Sequence, residues 1–287
     1  MKRILNMCAS DFGQSHQEMD LKAAILGSEG RTIMAEMDAQ TQPMYPEVTN
    51  AELLAAFGAD LITLKFLDVQ TQQIASLPEK KDQNCITRLR ELTGAGIGIS
   101  LEVTDHGEPN KRLTAQSLAQ AIALAPDYLV LTCYAKPEVT PARIIHDIEL
   151  VRNQYSGFLV VNPVVTHGRF LDEDNLMAYA QAGADLVILP APGTVPGVSE
   201  VQISTCIRAL AAQGVLAGAT LSTSQEGADP DTVRHIALKA KSAGVDLYNF
   251  GDAGLCGIAD PLAVQTLSLA VRGKRHTYIR MARSANR

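Results

Sequence analysis

The sequence predicts an α/β fold, a closed (β/α)8 barrel of TIM type forming one domain over residues 1–287, and three observations carry that prediction. First, Gly-x-Asp-Leu is written three times, at Gly58, Gly183 and Gly244, each time before a short apolar run ("GADLITL", "GADLVIL", "GVDLYNF"). The gaps of 125 and 61 residues are about four and two copies of a unit of roughly 31 residues, the size of a strand with its return helix. Second, eight β-rich runs alternate with segments of helical period. Third, no G-x-G-x-x-G follows the first strand, which argues against an open doubly wound sheet.

In chain order, an extra N-terminal helix near "QEMDLKAAILG" is expected to close the barrel bottom, followed by the first strand, "RTIMAEMDA" (31–39). The remaining strands are "DLITLKF" (60–66), "GIGISLEV" (96–103), "DYLVLTCYA" (127–135), "GFLVVNPVV" (157–165), "DLVILPAP" (185–192), "GVLAGATLS" (214–222) and "DLYNFGDAG" (246–254). The helices between and after them include "NAELLAAFG", "CITRLRELTG", "PARIIHDIELVRNQY" and "PDTVRHIALKAKSAG". Thr140-Pro141, Asp229-Pro230 and Asp260-Pro261 read as a capping residue followed by proline in the first helical position. Most helical segments end on glycine, whose left-handed turn leads into the next strand. Gly-x-Asp-Leu therefore reads as a helix C-cap joined to a strand entry.

Composition narrows the function classes. With 25 basic and 31 acidic side chains the net charge is −6, which argues against a general nucleic-acid or anionic-membrane binder. Five scattered cysteines with no CxxC pair read as a reducing compartment, and no apolar run is long enough for a membrane span or a secretory signal, so a soluble cytoplasmic protein is expected.

A barrel of this kind carries its chemistry at the C-terminal strand ends. Strand parity sends Glu36 and Asp38, Thr63 and Lys65, and Gly98, Ser100 and Glu102 inward, with Asn162, Thr220, Ser222 and Asn249 at comparable late positions. Charged groups rarely sit inside a barrel without pairing or function. The expected catalytic set is Glu36, Lys65 and Glu102. Lys65 reads either as a Schiff-base or substrate-anchoring group or as a counter-ion to Glu36 or Glu102; the glutamates read as acid/base groups. Asp38, Asp68 and Glu102 are oxygen ligands of the type that Mg²⁺ uses, though their spacing proves no site.

The loops after strands seven and eight, "STSQEGADPD" and "GDAGLCGIADP", suggest a seat for a ligand phosphate made by Ser222, Thr223, Ser224, Gly251 and Gly254. Asp252 and Glu226 complicate it, since an anion disfavours them as neighbours; they read instead as holders of a metal or a sugar hydroxyl, and turn chemistry alone is the bland alternative. His106 and His167 follow strand ends, where a proton shuttle fits, and Cys133 reads as a packing residue. The segment 67–84 is too long for an ordinary connection and reads as a lid or an arm to a neighbouring subunit; a homo-oligomer is expected.

The stretches "TSQEGADPDTVRHIAL", "GVDLYNFGDAGLCGIADP" and "AVRGKRHTYIRMARS", with "SEGRTIMAE" and "LPAPGTVPG", resemble a bacterial barrel family of undefined function whose members carry phosphoenolpyruvate-phosphonomutase-like or haloacid-dehalogenase-like names. The first name is compatible with a barrel and with carboxylates that hold Mg²⁺. The second needs a DxDx[TV] nucleophile loop, which this chain lacks. The resemblance assigns no catalytic residues.

The function expected from these residues is lyase or isomerase chemistry on a small phosphorylated or carboxylated metabolite. The alternatives are a Mg²⁺-dependent C–C or C–P bond enzyme of phosphonomutase type, and a non-catalytic barrel that binds a sugar phosphate or regulates.

Overall fold

Eight parallel strands close into a ring in chain order, with β1 (Thr32–Asp38) paired to both β2 (Leu61–Lys65) and β8 (Leu247–Phe250). Between them run β3 (Gly96–Glu102), β4 (Tyr128–Cys133), β5 (Phe158–Pro163), β6 (Leu186–Pro190) and β7 (Leu216–Leu221). The structure, a computed structural model, describes residues 2–13, 20–165, 171–253, 257–283 and 285. Each strand is followed by a helix: α2 (Asn50–Ala56), α3 (Cys85–Thr93), α4 (Ala115–Ala123), α5 (Pro141–Arg152), α6 (Glu173–Ala182), α7 (Glu200–Ala212), α8 (Pro230–Ala243) and α9 (Pro261–Met281). The predicted (β/α)8 barrel is the observed fold, and its closed sheet excludes the open sheet that dehalogenase chemistry needs.

Strand parity divides the apolar residues between two cores. Ile33, Ala35 and Met37 of β1 and Ile62 and Leu64 of β2 point outward and pack against the helices. Met34, Leu61, Tyr128, Val130, Phe158 and Leu247 point inward and fill the lower barrel together with Ile4, Met7, Phe12, Leu21 and Ile25 of the N-terminal segment. The helix α1 (Leu21–Leu26), capped by Asp20, whose Oδ1 accepts from the Ala23 amide at 2.9 Å, belongs to this plug. Burying each large apolar side chain of this kind contributes about 1.5–3 kcal/mol. Gly98 makes room for the wholly buried Tyr128: a Cβ there would lie 2.2 Å from the ring, whose hydroxyl instead reaches Thr63 Oγ1 at 3.0 Å.

The repeated Gly-x-Asp-Leu proves to be more than a corner. Asp60, at the entry to β2, donates its N–H to the Ile33 carbonyl and accepts the Ile33 N–H on its carboxylate at 2.9 Å. Asp185 does the same with Leu159 before β6, and Asp246 with Ala217 before β8. The fourth member is Asp127, which pairs with Ile97 before β4. Its glycine position is taken by Ala125, held at φ 52°. Every even-numbered strand is thus stapled to its predecessor at the barrel bottom.

Three of these aspartates also meet arginine. Arg90 reaches Asp127 at 3.1 Å, Arg152 pairs with Asp185, and the buried Arg272 pairs with Asp60 at 2.9 Å. Arg272 closes the first part of α9, which breaks at Gly273 (φ 68°) so that its last turns cross the bottom and Arg280 donates to the Ala59 carbonyl. All three predicted cap-proline pairs start helices, at Thr140, Asp229 and Asp260. The segment 67–84 holds no helix or strand; Ile74 packs it onto the outer core, and it lines a groove of about 930 Å³.

Candidate active site

Above the apolar plug the barrel interior becomes polar. Ser100 and Thr132 share a hydrogen bond at 2.8 Å, and Asn249 donates from Nδ2 to Thr220 Oγ1 at 3.1 Å and to Glu36 Oε1 at 2.7 Å. Lys65, at the last position of β2, donates to Asp252 Oδ1 at 2.8 Å and lies 3.5 Å from Glu36 Oε2. Its ammonium also sits 5.4 Å from the centroids of the Phe66 and Tyr134 rings, within cation–π reach. Phe66 is held at φ 54°, a strained conformation for an aromatic residue and one that recurs beside reactive groups. A cavity of about 210 Å³ opens over these groups, with Glu36, Lys65, Tyr134, Asn162, Glu226 and Asp252 among its walls.

Burial sets the electrostatics. It pushes the Glu36 carboxyl above the usual range, opposed by the Lys65 charge and the Asn249 hydrogen bond. On Lys65 burial works downward, but the charges of Glu36, Tyr134 and Asp252 outweigh it and hold the amine above its ordinary value. Tyr134, Glu102 and Glu226 are likewise raised by burial. The arrangement is therefore a buried ammonium surrounded by carboxyl groups, at least two of which favour a proton more than free glutamate does.

The predicted residues divide into those that converge and those that do not. Glu36 and Lys65 meet directly. Glu102, at the end of β3, feels Lys136, Lys65 and Asp252 electrostatically but makes no ion pair among the described residues. Ser222, Thr223 and Gly251 line the cavity; Ser224 instead starts a 3-10 turn (Gln225–Gly227) at φ 75°, and Gly254 and His167 lie outside the described residues. The Mg²⁺ set does not assemble. Asp38 accepts the Gln40 amide at 2.8 Å, and Asp68 accepts those of Gln70 and Thr71 while facing the separate 930 Å³ groove. Among the described residues no three His, Cys, Asp or Glu side chains gather to hold a metal; Lys65 occupies the place between Glu36 and Asp252 that a cation would take. Cys133 points outward into the helical layer, where burial keeps it a thiol, and His106 is exposed.

Asp252 and Glu226 are the site groups that sequence reasoning did not place in the reactive set. Both stand in loops without periodicity, so parity had no hold on them; the signals were their place after β7 and β8 and their acidity, which pointed to a metal or a hydroxyl and not to a reactive role.

One family model, described as a domain of unknown function, DUF7916, matches residues 5–287. The chain belongs to the DUF7916 family. No curated protein matches it. Among solved structures, this DUF7916 barrel is similar to 2,3-dimethylmalate lyase, a member of the PEP mutase/isocitrate lyase superfamily, at 15% identity over 82% of this chain and 80% of that one, with a TM-score of 0.50. It is similar to orotidine 5'-phosphate decarboxylase from Pyrococcus horikoshii OT3 at 15% identity over 85% and 100%, with a TM-score of 0.50. A mandelate oxidase variant aligns at 16% identity over 83% and 72%, with a TM-score of 0.51. Three chemistries on one scaffold establish the fold and leave the reaction to the site.

Proposed function

We propose that this barrel is an enzyme of lyase or isomerase type that acts on a small carboxylated or phosphorylated carbonyl compound, with Lys65 and Glu36 at the reacting centre. The observation that carries the reading is the Lys65 ammonium, 6% exposed, fixed between Asp252 and Glu36 under a cavity large enough for a small metabolite. Proton removal beside a carbonyl, or cleavage of a bond there, places negative charge on the carbonyl oxygen. A preorganised cation in a site that excludes most water stabilises that charge strongly. Glu36, raised by burial, is suited to exchange the substrate proton, and Glu102 is the second acid/base candidate at the rim. The carboxyl groups around Lys65 keep it protonated, so it acts as a charge rather than as an imine-forming amine. The likeness in fold to a lyase supports the general class.

The test is a turnover screen of short 2-oxo, 2-hydroxy and phosphorylated acids by mass spectrometry, repeated with Lys65→Met and Glu36→Gln. Each substitution is expected to lower kcat/KM by about 100-fold or more, as for loss of one group that stabilises a developing oxyanion. Borohydride is expected to leave no adduct on Lys65. Unchanged turnover in both variants would overturn the assignment, and a trapped adduct would replace the electrostatic role with an imine.

A further inference from the structure

One carboxyl oxygen in the cavity wall lacks a partner, although the backbone amides of Ser224 and Glu226 serve the same carboxyl. Glu226 is only 4% exposed, it lines the cavity, and its Oε2 has no hydrogen-bond partner among the described residues. An unmatched buried carboxyl oxygen costs a folded protein free energy, and a ligand donor entering the cavity would offset that cost. Its surroundings say what kind of ligand. Thr223 beside it has its one hydroxyl proton engaged by backbone carbonyls, 2.6 Å from that of Thr194 and 2.5 Å from that of Ser222, so it turns lone pairs to its other side. The Gly251 N–H is taken by the Leu221 carbonyl, and Asp252 adds a second carboxylate. Although Ser222 can also donate, the described side chains of the wall built by the loops after β7 and β8 are mainly acceptors. A phosphate brings acceptors and negative charge to it; a carbon-bound hydroxyl brings the missing donor.

We infer that Glu226 forms a subsite for a ligand hydroxyl, so that the substrate is a hydroxy acid or hydroxy carbonyl compound whose anionic end lies toward Lys65 and whose hydroxyl-bearing end lies against the β7–β8 wall. This deepens the function proposed above and rests on it for the place of the anionic end. It also moves phosphate away from the loops where the sequence suggested a seat.

Calorimetric titration with D-glycerate, with propionate, which lacks both of its hydroxyls, and with inorganic phosphate tests the subsite on the full chain. D-Glycerate is expected to bind at least about tenfold tighter than propionate, the scale of one hydrogen bond to a charged acceptor, and Glu226→Met is expected to erase most of that ratio. Phosphate is expected to bind the variant no more weakly than the native protein. Without ligand, the isosteric Glu226→Gln is expected to raise the melting temperature by about 2 °C, because burial penalises the ionised carboxyl and the neutral amide escapes that penalty. An unchanged glycerate-to-propionate ratio in Glu226→Met, a loss of phosphate affinity there, or a lower melting temperature for Glu226→Gln would each overturn the subsite while leaving the role of Lys65 standing. Native protein that binds neither organic acid would overturn both.

Discussion

The two ends of the barrel use the same residue types in opposite ways. At the bottom, Asp60, Asp127, Asp185 and Asp246 turn their carboxylates onto backbone amides of the preceding strand, and three of them add an arginine. At the top, Glu36, Asp252 and Glu226 face a cavity; the first two share one ammonium, and Glu226 keeps an oxygen without a partner among the described residues. A carboxylate whose lone pairs are taken up by backbone holds the scaffold together; one whose lone pairs remain open is available to a ligand. Acidity alone does not distinguish them, and hydrogen-bond accounting does.

The sharpest way to break the comparison is at the bottom. Asp60→Ala strands the wholly buried Arg272 and the Ile33 amide, and is expected to cost about 3–5 kcal/mol, lowering the melting temperature by about 10 °C or preventing soluble expression. Lys65→Met at the top leaves Glu36 and Asp252 facing each other, but both can take up a proton or cavity water, so a smaller loss of about 2 kcal/mol is expected, together with loss of turnover. Denaturant titrations of the two variants side by side rank the effects, and a larger loss for Lys65→Met would reverse the division of roles.

Asp246 refines the contrast, because it is the one bottom aspartate for which no arginine is found among the described residues. Burial raises its pKa, opposed only by the Ala217 amide. The folded chain therefore holds this proton above the free value of 3.8, where the unfolded chain has released it, and stability falls as pH rises through that window. Asp246→Asn keeps an acceptor for Ala217 and is expected to gain on the native protein as pH climbs from 4 to 7 in thermal melts. A variant that instead loses ground would mean that Asp246 is stabilised as an anion like Asp60. The smallest effect is expected at Ala125, whose φ of 52° is strained for alanine: Ala125→Gly should raise stability by about 1 kcal/mol, measured by urea unfolding.

These positions also mark what the sequence discloses and what it conceals. Three copies of Gly-x-Asp-Leu gave the period and so the barrel, while the fourth was masked by Ala125-Pro126-Asp127-Tyr128, in which alanine accepts the left-handed turn and Gly98 accommodates the tyrosine ring. Parity placed Glu36 and Lys65 inside because strands alternate regularly. It could not rank Glu102, whose distance from Lys65 depends on barrel curvature, nor bring in Asp252 and Glu226 from aperiodic loops. The proposed Mg²⁺ set does not gather for a related reason: Asp38 and Asp68 have the right chemistry, but each gives its Oδ1 to a local turn, and Asp68 faces a different groove.

The hydrogen bond from Asn249 to Glu36 joins residues 213 positions apart, across the seam where the last strand meets the first. Until that seam zips, neither the floor of the pocket nor its charge balance exists. Recovery of ligand binding during refolding would therefore lag behind the return of helical signal, and neither half of the chain expressed alone would bind; only the two halves mixed, so that each supplies one lip of the seam, would restore it.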